Sequence, residues 1–453
     1  MTYRKSRKGA ALLISMIVLA ILSAWAVSIC SMSGTGVQLA ENQRKVNSTR
    51  ACAESGLGIL RFWLNQISMP GTTAASAKFS NVATFLQNNL TANITANYDG
   101  SSLITIPAVI LDSAAAQRFS AEINADDPSD AEILQVDVTG TYGSITRTIR
   151  VNYNFGPRMN PLFEYGIATK GPLHLAGNIE LGGVNVAVES SVYIESENSD
   201  EALSIIGNSQ IAGDVSITNP DATVTLQGGQ AGIGGETGQD AIDNHVSAGD
   251  APIGFPVPNP GYFQQYVQND IDTNDVVFEN IRIPADTNPS FSSGVTLKGI
   301  VFIETPNVVT FTGHVSITGI IVGNGDVNDN SGTNQIIFLG TVNSYPVTDL
   351  PLEPQFDQLR NETGTFLLAP GFSASFGGNF ETINGVIAAN GIEFYGDAGG
   401  TIEGSVLNYS DTTMNLTGNS DLSFNHGTVE VPAGFEFDIE LKYDPASYSE
   451  VPL

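Results

Sequence analysis

The first 30 residues of this 453-residue chain contain the feature that most limits what it can fold into. A run of 21 uncharged, mostly apolar residues extends from Ala10 to Cys30. It follows a cluster of cations, namely Arg4, Lys5, Arg7 and Lys8. A spanning helix needs about 20 apolar residues, whereas the apolar part of a secretory signal has about 7–15. The run therefore predicts a membrane-spanning helix with a cytoplasmic N-terminus, because flanking cations tend to stay on that side.

Helix-forming residues continue beyond the apolar run. Oppositely charged residues recur four positions apart, at Glu41 and Lys45 and at Arg50 and Glu54, which places each pair on one helical face. An apolar stripe also continues at helical spacing, through Val37, Ala40, Val46, Ala53, Leu57, Leu60 and Leu64. We therefore predict one helix over residues 10–67, roughly 85 Å long and membrane-spanning to about residue 30.

Three local motifs accompany this helix. A short basic leader ends at Gly9, the apolar run starts immediately at Ala10, and "STRACAESGLGIL" follows later. The last motif places Ala51, Glu54, Ser55, Gly56 and Leu57 in an Ala-x-x-Glu-Ser-Gly-Leu pattern. Over about 65 residues, and more weakly to about residue 156, the chain resembles the type IV pilin superfamily and its minor pilins with a PilX-type N-terminus.

The resemblance implies a processing step and a mode of assembly. A prepilin peptidase would cut between Gly9 and Ala10 and so remove residues 1–9 as a leader. The remaining helix would sit in the bacterial inner membrane, with the rest of the chain in the periplasm, and would later join a filament or the cell surface. It would pack against other pilins or pseudopilins through the side chains of Leu12, Leu13, Ile14, Val18 and Leu22.

One position departs from the family pattern. Most pilins carry Glu at the fifth mature position, where this chain has Ile14. The resemblance implies that such subunits are minor or tip components, since that Glu is thought to meet the amino terminus of a neighbouring subunit. A carboxylate in lipid is costly unless it is paired, so a subunit without the partner is expected to lack it.

Charge divides the chain into two parts. Residues 1–158 carry a net charge of +3 and residues 159–453 carry −32, giving −29 for the whole chain. Such an acidic part is unsuited to nucleic acid, whose binding depends on neutralising phosphates with Lys and Arg. The two cysteines, Cys30 and Cys52, would lie roughly 33 Å apart on one helix, beyond disulfide reach.

The region 71–156 predicts a small α/β head. "AKFSNVATFLQNNL" has the pattern of a short helix, and "SLITIPAVIL" that of a strand. "EILQVDVTGTYGSITRTIRVNYNF" alternates with a break at Gly140–Gly143, which indicates a hairpin. We predict a small antiparallel sheet packed on the outer half of the long helix, with Phe62 and Trp63 at the contact.

The region 160–430 is predicted to be all-β. "GDVSIT" at 213–218 recurs as "GHVSIT" at 313–318, and related glycine-containing segments recur about 20 residues apart, with glycines at 299, 319, 385 and 404. A period near 20 with Gly and Asn turns is typical of a parallel β-helix, or β-solenoid. We expect insertions near 235–290 and 340–365 and a C-terminal tail or cap at 431–453. An antiparallel β-sandwich is the alternative.

No catalytic motif stands out in the acidic region. The cations Lys170, Arg282, Lys298, Arg360 and Lys442 are scattered, and the histidines His174, His245, His314 and His426 lack metal-ligand spacing. Paired carboxylates that cleave sugars need a set separation, which sequence cannot establish among so many acids. We expect no enzymatic activity and no catalytic residues.

Two loops have the oxygen-rich composition of calcium sites, and calcium is the only cofactor the sequence suggests. "GDVNDNSG" offers Asp326, Asn328 and Asn330 at alternate positions, and "NADDPSDAE" offers Asp126, Asp127 and Asp130 in the head. The alternative interpretation is that these side chains close turns by accepting hydrogen bonds from their own backbone.

These features predict a minor pilin or pseudopilin-like subunit of a type IV pilus or type II secretion-like filament. It would assemble through its N-terminal helix and display the β-solenoid for adhesion or assembly priming. Its partners would be other pilins, the prepilin peptidase, the inner membrane and a surface or carbohydrate ligand, but not nucleic acid. The alternative function is a membrane-tethered carbohydrate-binding or carbohydrate-active β-helix protein.

Overall fold

The computed structural model describes residues 8–90, 94–113, 116–127, 129, 131–196, 201–272, 274–426 and 431–451, with side chains from residue 11 onward. The chain divides into two compact units. The head unit contains the described residues through Gly156 and those from Ile439 onward, and the β unit is Pro157–Asp438. The chain therefore leaves the head unit, forms the β unit and returns.

Helix α1 (Lys8–Leu64) is continuous, as the sequence predicts. Every side chain from Ala11 through Ala40 is exposed, and one face becomes buried from Thr49 onward. The predicted apolar stripe is thus covered at Ala53, Leu60 and Leu64 but not at its start. Phe62, expected at the contact with the sheet, is 61% exposed, whereas Trp63 packs partly against the core.

The head unit contains a sheet and a second helix, α2 (Ala75–Asn89). The strands are β1 (Ser68–Pro70), β2 (Asn97–Tyr98), β3 (Leu103–Asp112), β4 (Gln117–Ala125), β5 (Ile133–Tyr142), β6 (Ile145–Arg158) and the last strand of the chain, β35 (Asp438–Val451). Their order is β1-β35-β6-β5-β4-β3-β2. The β5–β6 hairpin is antiparallel and turns at Gly143, whose φ of 61° favours glycine.

The end of the chain differs from the expectation. Residues 431–453 were expected to form a tail or cap, but β35 lies between β1 and β6 in the head sheet. Ile439 and Leu441 are buried in the head core and Tyr443 packs partly against it. The alternation of these apolar residues is that of a strand with one buried face, so it needs a sheet to cover it.

The β unit consists of sheets of stacked parallel strands, which replace the alternative antiparallel sandwich. Sheet 1 contains β7 (Ile167–Thr169), β10 (Val192–Ile194), β13 (Val215–Ile217), β17 (Val246–Ala248), β18 (Asn269–Asp270), β19 (Val277–Ile283), β21 (Val295–Glu304), β23 (Val315–Asn324), β25 (Val342–Tyr345), β26 (Thr365–Ala369), β29 (Val386–Ala389) and β32 (Val406–Asn408).

Sheet 2 contains β8 (Leu173–Gly177), β11 (Glu201–Gly207), β14 (Thr223–Gln227), β20 (Ser290–Phe291), β22 (Val308–Phe311), β24 (Gln335–Phe338), β27 (Ser373–Phe376), β30 (Ile392–Phe394) and β33 (Met414–Gly418). Sheet 3 contains β9 (Glu180–Gly183), β12 (Gln210–Ile211), β15 (Gly232–Ile233), β16 (Glu236–Thr237), β28 (Thr382–Ile383), β31 (Gly400–Ile402) and β34 (Asp421–Phe424).

The predicted period of about 20 residues is the register of the stacked strands. Gly299 of β21 pairs with Gly319 of β23, and Ile387 of β29 pairs with Val406 of β32. Both glycines of the first pair have positive φ, and a Cβ on Gly319 would lie 1.9 Å from the carbonyl oxygen of Gly299. The repeated glycines therefore allow close stacking of bent strands.

The order of strands in space differs from their order in sequence. Sheet 1 is arranged β17-β13-β10-β7-β32-β29-β26-β23-β21-β19-β18. The chain enters this sheet in the middle at β7 and proceeds to β17. It then crosses to the far end, resumes at β18 and returns strand by strand until β32 lies beside β7. We call the β7–β32, β8–β33 and β9–β34 pairs the seam.

The two expected insertions, near 235–290 and 340–365, contain strands of the β unit, β16–β19 and β25, as well as segments that cover sheet 1. The crossing segment, residues 249–268, connects β17 to β18, and a second segment follows β25. Short helices occur here and elsewhere: α3 (Gly238–His245) and the 3-10 helices Pro161–Glu164, Ala187–Ser190, Pro260–Tyr266, Val347–Asp349, Pro354–Phe356 and Leu359–Asn361. Phe263, Leu350 and Phe356 from these segments pack with Ile300 and Phe302 of sheet 1.

The interior of the β unit contains a ladder of phenylalanines in sheet 2. Phe291, Phe311, Phe338, Phe376 and Phe394 pair in register on successive strands. Neighbouring rings are stacked with centroids 4.7–5.1 Å apart. Parallel stacking brings identical positions of each strand together, so one residue type can fill one row of the core.

Candidate functional site: the N-terminal helix and its head contacts

The predicted membrane and assembly residues lie on the first part of α1. Gly9 and Ala10 are within the helix. The side chains of Leu12, Leu13, Ile14, Val18 and Leu22 are 48–67% exposed. Within the part of the chain that the structure describes, one helix is long and apolar enough to cross a membrane, over Ala11–Leu64. Such a helix suits a single-pass anchor.

Two glycines bring the outer half of α1 close to the head sheet. A Cβ on Gly56 would lie 2.5 Å from the Phe119 ring, and one on Gly140 would lie 2.1 Å from the Thr49 carbonyl oxygen. Gly56 belongs to the motif that resembles pilins, whereas Gly140 of β5 was seen only as a hairpin signal. Both positions exclude a side chain because backbone and rings occupy the space.

Ion pairs on α1 follow the predicted spacing. Glu41 lies 3.7 Å from Lys45 and also accepts hydrogen bonds from Arg44, and Arg50 lies 2.9 Å from Glu54. These pairs are exposed, so each contributes at most about 1 kcal/mol. All of them lie beyond Cys30, the end of the apolar run, so the charged part of α1 is outside the expected membrane span.

Strand β35 makes contacts along α1 that sequence reasoning missed. The Arg61 guanidinium lies 4.7 Å from the centre of the Tyr443 ring, and Arg50 lies 3.4 Å from Glu450. Tyr443 also packs on Tyr153, whose pKa is raised to about 12 by burial. The alternation of apolar residues in "DIELKY" indicates a strand, but it does not show which strand is its partner.

Two oxygens of the loop containing Asp326, Asn328 and Asn330 accept hydrogen bonds. Asp326 Oδ1 accepts from the backbone N–H of Asn328 at 2.9 Å. Asn330 Oδ1 accepts from Asn390 Nδ2 at 3.0 Å. Asp326 therefore has the turn-closing role that is the alternative to calcium binding, whereas Asn330 joins the loop to Asn390.

The head loop has the same character in its described part. Asp126 Oδ1 accepts from the backbone N–H groups of Glu132 and Ile133, and Asp127 Oδ1 accepts from the N–H of Ser129. Asp130 lies outside the described residues. Calcium binding at either loop stays a prediction that a titration would test.

The cations of the β unit are engaged in the fold. Arg282 lies 2.7 Å from Asp270, Lys298 lies 3.4 Å from Glu279, and Arg360 contacts Asp357. Lys170 lies 5.2 Å from the centre of the Phe255 ring, on the crossing segment. These groups therefore hold neighbouring strands and segments together.

The histidines do not form a common site. His245 Nδ1 lies 2.7 Å from Asp214 Oδ1, a pairing that their separation in sequence concealed. His426 is partly buried, and burial lowers its pKa despite the nearby carboxylates of Glu189 and Glu164. Among the described residues, no three His, Cys, Asp or Glu side chains are grouped to hold a metal ion.

Comparison with known proteins shows a structural likeness. No family model matches the chain, and neither does any curated protein. The chain is similar to the crystal structure of the competence-associated pilin ComZ from Thermus thermophilus, with 12% sequence identity and a TM-score of 0.29. The match covers 90% of this chain and 98% of that one. At such identity and TM-score, the role of this chain has to be inferred from its own residues.

Proposed function

We propose that the chain is a minor pilin or pseudopilin-like subunit of a type IV pilus or type II secretion-like filament. The supporting observation is that α1 has two surroundings along one continuous helix. Its residues 11–40 expose every side chain, while the residues from Thr49 onward help to form the head core. A subunit that moves from membrane to filament needs this division, because lipid and then neighbouring helices must cover the apolar part.

The proposed steps use the N-terminal residues in sequence. A prepilin peptidase cuts between Gly9 and Ala10, and the shortened helix remains in the inner membrane. The row of Leu12, Leu13 and Val18 then packs against other pilins. Ile14 adds no buried carboxylate to this contact, which suits a minor or tip position better than a polymer-forming one.

The β unit is the displayed part in this proposal. We propose that its three stacked sheets are the faces of one β-solenoid, which is presented outside the cell for adhesion or assembly priming. The net charge of −32 over residues 159–453 supports this orientation, because such a surface is repelled by anionic lipid and by nucleic acid. We propose a role of display and binding without catalysis.

The decisive experiment is mass spectrometry of the N-terminus of protein isolated from native membranes. The expected mature chain begins at Ala10, and a Gly9→Val variant should retain the leader while Ser6→Ala is processed normally. A native chain that still begins at Met1 or Thr2 would overturn the pilin proposal and leave an anchored β protein.

A further inference from the structure

The two ends of the β unit lie side by side because of the seam. Ile167 at its start pairs with Val406 near its end, and Thr169 pairs with Asn408. The Asn408 side chain donates a hydrogen bond from Nδ2 to Thr169 Oγ1 at 3.0 Å, and both residues are fully buried. The seam is thus a packed and hydrogen-bonded contact between the first and last turns.

A coil wound in simple sequence order would not have this property. Its first and last turns would lie at opposite ends of sheet 1, roughly 50 Å apart at about 4.8 Å per strand. The crossing segment makes the difference, since it carries the chain from β17 to the far end before the remaining turns are wound.

The crossing segment also fastens the seam from outside. The Phe255 ring contacts Tyr193 of β10 and Tyr409 next to β32, with ring centres 6.3 and 5.4 Å apart. Tyr193 Oη accepts from the Ile253 N–H at 2.8 Å, and Tyr409 Oη donates to the Pro256 carbonyl at 2.6 Å. One segment therefore holds turns on both sides of the seam.

The head unit needs the ends of the β unit to be close. Strands β6 and β35 are neighbours in the head sheet, and the whole β unit is inserted between them. Asn152 of β6 donates its N–H to Ser447 Oγ of β35 at 2.7 Å. Glu450 and Tyr443 of β35 then reach Arg50 and Arg61 of helix α1.

We propose that the closed seam is a conformational checkpoint: a folded β unit delivers β35 to its place between β1 and β6 and so completes the support of helix α1. With the seam closed, about two dozen residues connect the end of β6 to the start of β35 outside the paired turns, compared with about 280 when the β unit is unfolded. Effective concentration falls as roughly the −3/2 power of length, so opening the β unit weakens β35 docking about 40-fold. This inference does not depend on what the chain assembles with.

Hydrogen exchange on the full-length chain in detergent tests the checkpoint. Leu175→Asp places a carboxylate in the seam, where Leu175 is fully buried against Leu416. Ile233→Asp places the same group at an equally buried position in β15, away from the seam. We expect the amides of residues 439–451 to exchange up to about 40-fold faster in the first variant and within twofold of wild type in the second.

The same spectra report whether the seam has opened, through the amides of β7–β9 and β32–β34. If those exchange as in an unfolded chain while β35 stays protected, the checkpoint is overturned. Acceleration of β35 in Ile233→Asp while the amides of β7–β9 and β32–β34 stay protected would also overturn it. If Leu175→Asp prevents folding of the entire chain, Thr169→Val removes the oxygen that accepts the Asn408 bond at the seam with little change in volume, and the β35 amides must then exchange faster than in wild type in step with the seam amides.

Discussion

Gly56 lies at the closest approach between helix α1 and the head sheet, and Gly58 provides a control two residues away. A Cβ on Gly56 would lie 2.5 Å from Phe119, whereas one on Gly58 would meet nothing within 4 Å. Alanine favours a helix over glycine by about 1 kcal/mol, so Gly58→Ala should stabilise the head by up to that amount.

The same substitution at Gly56 should destabilise the head instead. We expect Gly56→Ala to lower the free energy of unfolding of the head by about 1–3 kcal/mol, because overpacking displaces Phe119 and Val138. Urea titration of the two variants measures the difference. Equal stabilisation by both substitutions would mean that the helix does not approach the sheet this closely.

His426 should make the β unit less stable in mildly acidic solution. Burial lowers its pKa below the usual 6.5, and its buried Nε2 has no hydrogen-bond partner among the described residues. The unfolded chain therefore takes up a proton first as the pH falls below about 6.5, which favours unfolding. Above that pH the imidazole is neutral in both states and contributes no pH dependence.

A difference measurement isolates this histidine from the many carboxylates. We expect the Tm of wild type to fall relative to His426→Gln as the pH is lowered from 7 toward 5.5, with the difference constant above pH 7. Parallel Tm curves across this range would show that His426 titrates alike in both states. His314→Gln, which alters an exposed histidine, is the matched control.

At the scale of single elements, the phenylalanine ladder is the strongest packing feature of sheet 2. Phe338 is fully buried between Phe311 and Phe376, with both ring centres 4.7 Å away. Truncation of such a residue costs about 3–5 kcal/mol, since it loses burial and leaves a cavity. We expect Phe338→Ala to lower the free energy of unfolding by that amount.

The neighbouring residue provides the comparison. Ile337 of β24 points to the outer face of the same strand and is only partly buried, so Ile337→Ala should cost about 1 kcal/mol or less. Chemical denaturation followed by circular dichroism measures both. A small loss at Phe338 would indicate that the ladder can collapse around the missing ring.

Elements with local signals were predictable from sequence, and those that depend on distant partners were not. The helix over residues 8–64 and the stacking of Gly299 on Gly319 follow from spacing alone. Strand β35 alternates only over its first residues, Asp438–Leu441, and its partner β6 lies some 280 residues earlier, so the sequence predicts a tail there. Phe62 was misplaced because a shift of one position on a helix turns a side chain by 100°.

At the scale of the molecule, the separation of charge should appear as a dependence on salt. Residues 159–453 carry −32, and four of their five cations, Lys170, Arg282, Lys298 and Arg360, already contact a carboxylate or an aromatic ring. Self-repulsion of this charge opposes the compact state, and salt shortens its range from about 30 Å at 0.01 M to about 3 Å at 1 M. We expect the Tm of the β unit to rise as NaCl is added over this range.

Calorimetry in NaCl and in sucrose of equal osmolality separates the screening of charge repulsion from the stabilisation that any solute excluded from the protein surface produces. A larger rise in NaCl supports self-repulsion as the cause. A Tm that falls with salt would mean that the ion pairs at Arg282 and Lys298 matter more than the net charge, although exposed pairs are individually worth about 1 kcal/mol or less.

The winding order of the β unit could not be predicted from sequence. Of the candidate site, the apolar residues of helix α1 were predictable, but the contacts that β35 makes with the helix were not. The repeat near 20 residues indicates that turns stack, but it carries no information about where in the stack the chain begins. The residues around 249–268 have the sequence pattern of an insertion. Nothing in the repeat shows that they connect β17 and β18, which lie at opposite ends of sheet 1. Glu450 and Tyr443 were missed for the same reason as β35.

The position of β7 in the middle of sheet 1 has a consequence for biosynthesis. The turn β7–β9 is made about 240 residues before β32, the strand that will lie beneath it. At a synthesis rate of about 5–20 residues per second, the edge of that turn that will pair with β32–β34 stays unpaired for roughly 10–50 s. During this interval the turn β7–β9 has an unpaired strand edge. A growing chain that stalls before β32 would therefore expose an edge that can pair with another copy of the chain and aggregate.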